Sequence, residues 1–376
     1  MEAIVYSPFS ELPSDVLEII LRSCEGHAYI NSQVCSEWRE IVLPWGNLKE
    51  KFIDTCFEED LHYVAKFPVS YFNLTRLRSL VRNERVDLLR MAANLGVFVF
   101  PCQTFAAEFG RVEVLKWYDN EIGQISHSHI GYVAAKRGHR EVLDWLIERN
   151  SCLDCSVIVG AVEFGNLETV QKLKAYGCQW SKAVCKNAAL KCHLEILKWA
   201  RSNPEDLCPW NEKTSQAAAR GGDLETLKWL KEQNCPWHPE VALTLAENGH
   251  FEALKWELEN GGIWNGGIYD AIIKKGSLET LQWIRRRGYL WDDSIVNSAV
   301  FYGQLQILKW ITANGLQLTN SCMESALRGE DLDTLKWLIR QGQTWPDRCH
   351  YFCDGVNKNV REWALDNGCP TSYFIF

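Results

Sequence analysis

Gln216-Ala217-Ala218-Ala219-Arg220-Gly221-Gly222-Asp223-Leu224-Glu225-Thr226-Leu227-Lys228-Trp229-Leu230-Lys231-Glu232-Gln233-Asn234-Cys235-Pro236-Trp237 is the stretch that decides the fold. Its Ala-rich opening reads as a short helix broken at Gly221-Gly222, where glycine can take the positive φ that closes a helix. A second helix is predicted from Leu224, with Leu224, Leu227, Trp229 and Leu230 on one broad apolar face. Asn234, Cys235 and Pro236 end it, since proline cannot continue a helix. The product is a helix–turn–helix unit whose apolar face is too wide for one unit to bury alone.

The unit recurs along the chain. Of 17 tryptophans, nine close a Leu-Glu-x-Leu-Lys-Trp phrase or a variant of it: Trp117, Trp145, Trp199, Trp229, Trp256, Trp283, Trp310, Trp337 and Trp363. Six more lie in the turn that follows: Trp180, Trp210, Trp237, Trp264, Trp291 and Trp345. Trp38 and Trp45 stand outside the pattern. Counting Lys172 where one tryptophan is missing, the phrase positions are 28, 27, 27, 30, 27, 27, 27, 27 and 26 residues apart. A fixed period in this range marks a stacked solenoid. Such arrays usually bind rather than transform.

Eleven residues before the phrase position stand Ala106, Ala134, Ala161, Ala188, Ala218, Ala299 and Ala326, with Leu245 and Ile272 as exceptions. A small residue there lets neighbouring helices approach, while the phrase tryptophan is expected to fill the space between layers. On that expectation Trp229→Ala costs roughly 3–5 kcal/mol and Trp237→Ala clearly less. Seven residues before the phrase position stand Gly110, Gly138, Gly165, Gly222, Gly249, Gly276 and Gly303; Cys192 and Glu330 depart from this. Weaker units precede, around Met91 and around Asp60–Lys66, and Tyr373-Phe374-Ile375-Phe376 would cap the far end. About ten repeats result.

Bulk composition fits one long array of 376 residues, 47% of them hydrophobic and 23% charged. The net charge of −8 is uneven: residues 1–60 hold twelve acids and four bases, and residues 61–376 hold 36 of each. A neutral array lacks the basic stripe that a phosphate backbone needs, so no nucleic-acid partner is expected. No signal peptide is expected, because the N-terminus is acidic and lacks an uninterrupted apolar core, and no apolar run of about 18 residues would cross a membrane. The 15 cysteines are read as small reduced hydrophobes of an intracellular protein, cytoplasmic or nuclear.

Ala134-Ala135-Lys136-Arg137-Gly138-His139-Arg140-Glu141-Val142-Leu143-Asp144-Trp145 resembles the second half of the ankyrin repeat, and the resemblance runs over about residues 60–376. The Thr-Pro-Leu-His opening is absent, and the period is about six residues short of the ankyrin ~33. The resemblance implies an all-α ankyrin-like solenoid of about ten repeats with ~27-residue period, with tight turns in place of the β-hairpin fingers.

Residues 9–45 do not fit the repeat. Leu12-Pro13-Ser14-Asp15-Val16-Leu17-Glu18-Ile19-Ile20-Leu21 opens an amphipathic helix, and Val34-Cys35-Ser36-Glu37-Trp38-Arg39-Glu40-Ile41-Val42 forms a second such stretch 22 residues on. This resembles the F-box. It departs where Cys24 and Ala28-Tyr29-Ile30 replace leucines. The resemblance implies docking on the Skp-type adaptor of a cullin–RING ubiquitin ligase through Leu12, Pro13, Val16, Leu17, Ile20, Val34, Cys35 and Trp38. The residues alone leave open a terminal helical cap of the array. The expected division is residues 1–59 for the module and linker and 60–376 for the repeats.

Catalytic, cofactor and metal residues are expected to be absent. Cys152-x-x-Cys155 and the Cys349, His350, Cys353 group have no second half at zinc spacing. His139 and His250 are the histidines of Gly-His turns, expected to cap helices. No phosphate-cradling Gly-Lys-Ser/Thr loop, His-Glu-x-x-His or Gly-x-Ser-x-Gly occurs. Contacts to a partner are expected from residues that vary between repeats, such as Lys182, Lys186, His238, Glu240, Asp292 and Asp293. The expected function is substrate recognition for a ubiquitin ligase, holding an unknown target protein near the enzyme. The alternative is a binding scaffold or decoy without ubiquitin chemistry. The whole architecture resembles expanded families of giant DNA viruses of amoebae, which would make target and adaptor host proteins.

Overall fold

The computed structural model describes residues 72–123, 125–319, 321–346 and 357–370. Among them every regular element is helical, with 21 α-helices, one π-helical stretch and no strand. The chain divides into two compact units, Met1–Gln179 and Trp180–Phe376. The F-box-like segment, the Asp60–Lys66 unit and the Tyr373–Phe376 cap lie outside the described residues.

In the N-terminal unit the helices are α1 (Leu74–Arg82), α2 (Val86–Asn94), α3 (Pro101–Phe109), α4 (Val112–Trp117), α5 (His127–Arg137), α6 (Arg140–Glu148), α7 (Cys155–Phe164) and α8 (Leu167–Ala175); the π stretch Tyr118–Ile122 continues α4. The C-terminal unit holds α9 (Lys182–Leu190), α10 (Leu194–Ala200), α11 (Glu212–Gly221), α12 (Leu224–Glu232), α13 (Val241–Asn248), α14 (Phe251–Glu259) and α15 (Gly267–Lys275). It continues with α16 (Leu278–Arg286), α17 (Ser294–Phe301), α18 (Leu305–Ala313), α19 (Cys322–Gly329), α20 (Leu332–Arg340) and α21 (Lys358–Asp366).

From α1 to α20, each odd-numbered helix packs on the even-numbered helix after it, making one repeat. The odd helices also pack on one another: α1, α3, α5 and α7 in sequence in the first unit, and α9 through α19 in the second. Small side chains make this possible. Ala106, Ala134, Ala161, Ala188, Ala218, Ala299 and Ala326 are wholly buried, as are Leu245 and Ile272 in the same register. This is a helical-repeat architecture, read correctly from the period.

The turn between the two helices of a repeat is fixed by backbone conformation. Gly110, Gly138, Gly165, Gly222, Gly249, Gly276 and Gly303 all lie at φ between 64° and 91°. Cys192 (φ 59°) and Glu330 (φ 58°) take the same left-handed conformation with a side chain, so the fold imposes the turn even where glycine is missing. Several of these glycines also admit a neighbour, two of them a histidine ring. A Cβ on Gly222 would stand 2.2 Å from the His250 ring, and one on Gly110 2.6 Å from His139 Nδ1. His139 Nε2 donates to Glu108 O (2.8 Å) and His250 Nε2 to Arg220 O (3.0 Å). Each histidine thus caps carbonyls at the end of the preceding repeat's first helix. At the same position Asn166, Asp223, Ser277 and Asp331 instead cap their own second helix, accepting from the backbone N–H of Thr169, Thr226, Thr280 and Thr334.

Candidate interaction surface

The phrase tryptophan is not the core residue that the sequence predicts. Thr226, Leu227 and Leu230 are wholly buried, whereas Trp229 is half-buried. A helix turns about 100° per residue, which sets Trp229 roughly a quarter turn off the centre of that buried face. Trp199, Trp256, Trp283, Trp310, Trp337 and Trp363 are half-buried too. Only in the N-terminal unit do phrase tryptophans go under, Trp117 at 4% exposure and Trp145 at 7%.

Instead, tryptophans of the C-terminal unit join consecutive repeats along the turn edge. The turn tryptophan of one repeat meets the phrase tryptophan of the next edge-on: Trp180 with Trp199 at 5.7 Å between centroids, Trp210 with Trp229 at 6.0 Å, and Trp291 with Trp310 at 5.3 Å. Trp345 and Trp363 sit tilted at 6.3 Å. Trp264 departs from the rule, stacking on Tyr289 at 4.4 Å. Indole N–H groups pin the ladder: Trp180 Nε1 donates to Asp206 O (3.1 Å) and Trp345 Nε1 to Asn367 O (2.8 Å).

Cations cover the turn indoles. Arg201 lies 4.0 Å from the Trp210 centroid and Arg285 4.5 Å from that of Trp291. Between Trp237 and Trp256 the edge contact gives way to Lys231, 5.1 and 5.2 Å from the two rings. Lys231 pairs with Glu257 (3.2 Å), which also accepts from Trp237 Nε1 (2.8 Å). Glu257 is 2% exposed and occupies a place that Leu230, Ile284, Ile311 and Leu338 fill in other repeats. Nothing in the local sequence pattern marks this buried charge.

The turn cysteines lie beneath. Cys178, Cys208 and Cys235 are buried, and their thiols donate to the carbonyls of Leu153, Ser181 and Asn211. Burial pushes the Cys178 thiol up to about 11 and the Cys235 thiol up to about 12, so these groups pack as apolar atoms. Cys185 is raised by its hydrogen bond with Cys208 and by burial. Nine of the described cysteines are free. Cys369 is disulfide-bonded, which departs from the uniformly reduced set the sequence predicts.

Cys152 is exposed and Cys155 half-buried, and no group of three or more His, Cys, Asp or Glu that would hold a metal occurs among the described residues. Among these residues no helix is long and apolar enough to cross a membrane. The variable residues chosen from sequence fall as follows: Lys182, Lys186, Glu240, Asp292 and Asp293 are exposed and His238 is half-buried. Asp292 accepts from Ser294 N (2.9 Å) and His238 Nδ1 from Glu240 N (3.2 Å), so both also shape helix starts. Leu12, Pro13, Val16, Leu17, Ile20, Val34, Cys35 and Trp38 lie outside the described residues, as do Cys349, His350 and Cys353.

No family model matches this chain, and no curated protein matches it. Among solved structures it aligns with the pentatricopeptide repeat protein PPR10 from maize, at 11% identity and a TM-score of 0.38, covering 96% of this chain and 65% of that one. PPR10 in complex with an 18-nt psaJ RNA element aligns at 12% identity and a TM-score of 0.30, over 96% and 66% of the two chains. This chain therefore spans just under two thirds of those proteins. The likeness is a coarse one between all-helical arrays. The exclusion of nucleic acid drawn from charge does not stand: one of these aligned structures holds an 18-nt RNA element. The physical fault lies in the measure: net charge sums over a whole array and is blind to local stripes of cation and aromatic.

Proposed function

We propose that this chain is a binding protein whose repeats hold a partner protein and whose N-terminal segment ties that partner to a ubiquitin ligase. The observation that carries the first half is the turn edge of the C-terminal unit, where half-buried tryptophans recur in every repeat beside exposed residues that differ between repeats. Aromatic anchors ringed by variable polar groups are the makings of a protein interface. His139 and His250 cap helix ends, and Cys178, Cys208 and Cys235 pack as buried atoms.

In its finer form the array is ankyrin-like, with tight turns in place of fingers. The second half of the proposal rests on the pattern Leu12-Pro13 and Val34-Cys35-x-x-Trp38-Arg39. Read as an F-box, these residues dock on a Skp-type adaptor and make the chain the substrate-recognition subunit of a cullin–RING ligase. The mechanism is proximity alone, a raised effective concentration of the held protein near ligase-bound ubiquitin.

Co-purification of the full chain with a Skp-type adaptor, beside a Leu17→Asp/Trp38→Ala variant, tests the coupling. Adaptor retained by the native chain and lost by the variant supports the ligase reading. No adaptor with a folded array, judged by circular dichroism, removes that half and leaves a binding scaffold.

A further inference from the structure

We infer that the turn edge of the C-terminal unit, across Pro209, Pro236, Ile263 and Leu290, docks a segment of a partner protein that carries large apolar residues flanked by Lys or Arg. This rests on the reading of the chain as protein-binding and names the chemistry of what it binds.

The four residues hold one place in the repeat, immediately before the turn tryptophan, at the tip of the turn. The fold does not require them to be apolar. Gln317 and Thr344 hold the same place in the same unit, as do Cys152 and Gln179 in the N-terminal one, and all four are exposed. Yet four consecutive repeats carry Pro, Pro, Ile and Leu there, with Ile263 60% and Leu290 83% exposed and Leu207 adding 41% beside them. A single exposed leucine is ordinary. A row at one place in four neighbouring repeats, half-buried at Pro209, exposed at Pro236, Ile263 and Leu290, and followed in each repeat by half-buried Trp210, Trp237, Trp264 or Trp291, is the kind of apolar feature that marks a contact site.

Charge decides the occupant. Glu205, Glu240, Asp292 and Asp293 stand exposed on the same turns. The neighbouring cations are largely spent on the protein itself. Arg201, Lys231 and Arg285 lie over indole rings at 4.0, 5.1 and 4.5 Å, and Arg287 is ion-paired with Glu259. Arg286 at the end of α16 offsets one of the acids. An apolar row rimmed by carboxylates attracts a segment bearing Lys or Arg and repels an acidic one. At this edge the same carboxylates favour a cationic polypeptide over a phosphate backbone.

The test is selection of a displayed random-peptide library on the full chain, followed by titration of the selected peptides against variants. The expected selection is enriched in Lys or Arg together with large apolar residues. Ile263→Ser/Leu290→Ser, at exposed sites that leave the helical circular-dichroism spectrum unchanged, should weaken binding roughly tenfold or more. Asp292→Asn/Asp293→Asn should weaken it less and flatten its salt dependence. Peptides that are acidic, or whose binding survives Ile263→Ser/Leu290→Ser, overturn the inference while leaving a protein-binding array in place. A labelled oligouridylate held by the native chain and released by the same double change also overturns it, assigning the edge to nucleic acid. An empty selection overturns it too. The adaptor co-purification is independent of this edge, so it reports separately on the ligase reading.

Discussion

Trp145 in the N-terminal unit and Trp229 in the C-terminal unit close the same phrase at the same helical phase, yet the first is buried and the second half-exposed. Around Trp145, Val142, Leu143 and Leu146 are buried much as Leu227 and Leu230 are around Trp229. The turns differ. The turn before Trp229 carries Trp210, which meets it edge-on, whereas the turn before Trp145 carries Ile125. Arg149 lies 5.3 Å over the Trp145 ring, held by an ion pair to Asp119 of the preceding repeat. Trp117 is closed off by Tyr118 edge-on at 6.1 Å and by Glu121, which accepts from its Nε1 at 3.0 Å. An indole of the preceding turn meets Trp199, Trp229 and Trp310 at the surface, whereas Arg149 and Glu121 close over Trp145 and Trp117. Trp337, with Leu318 in the turn before it, stays half-buried, so the size of the turn residue does not by itself set depth. The phrase fixes where tryptophan stands along the helix, and the side chains that close over it fix how deep it lies.

The largest effect that would break this comparison is at Trp145. Trp145→Ala should cost about 3–5 kcal/mol, the range of a buried aromatic truncation, in urea unfolding of the full chain. A loss near that of Trp229→Ala would show that the two sites do not differ in depth. Next comes the cation between Trp237 and Trp256. Lys231→Met strands Glu257, which is 2% exposed, and should cost about 2–4 kcal/mol, below a fully buried pair because Lys231 stays 34% exposed. Glu257→Leu, which restores the apolar residue of other repeats, should by contrast stay within about 1 kcal/mol of the parent. Equal losses from the two would refute the asymmetry.

Smaller still is the effect of the half-buried indole. Trp229→Ala should cost roughly 1–2 kcal/mol, less than its expected core value, because its contacts are fewer than those of a filled core site. A double-mutant cycle with Trp210→Ala should return a coupling of about 0.5–1.5 kcal/mol, the worth of an aromatic pair beyond its area; strict additivity would dissolve the ladder into separate residues. The smallest effect should be a gain. Glu330→Gly removes a side chain from a left-handed backbone position and should stabilise by about 0.5–1 kcal/mol, seen as a shift of the urea midpoint without a change of slope.

Much of the fold was legible from particular residues. The alanines eleven places before the phrase are the buried contact between first helices, and the glycines seven places before it are the left-handed turns. These are local demands of size and φ, which one residue meets by itself. The half-exposure of Trp229 had a faint signal in its phase beside Leu227 and Leu230. Buried Glu257 had none, because its partners Lys231 and Trp237 come from the preceding repeat. Exposure of Ile263 and Leu290 was likewise invisible, since an apolar residue beside a turn tryptophan reads as core until its surroundings are known.

Sequence by itself determined the period, the helix pair in each repeat, its turn and the small residues that let repeats stack. Each follows from side-chain volume, backbone conformation and spacing within about one repeat. Tertiary structure alone decided how deeply each tryptophan lies, which charge is buried with which partner, and where the turn edge is left apolar and open. Those properties belong to pairs of repeats meeting in space, and no single repeat contains them.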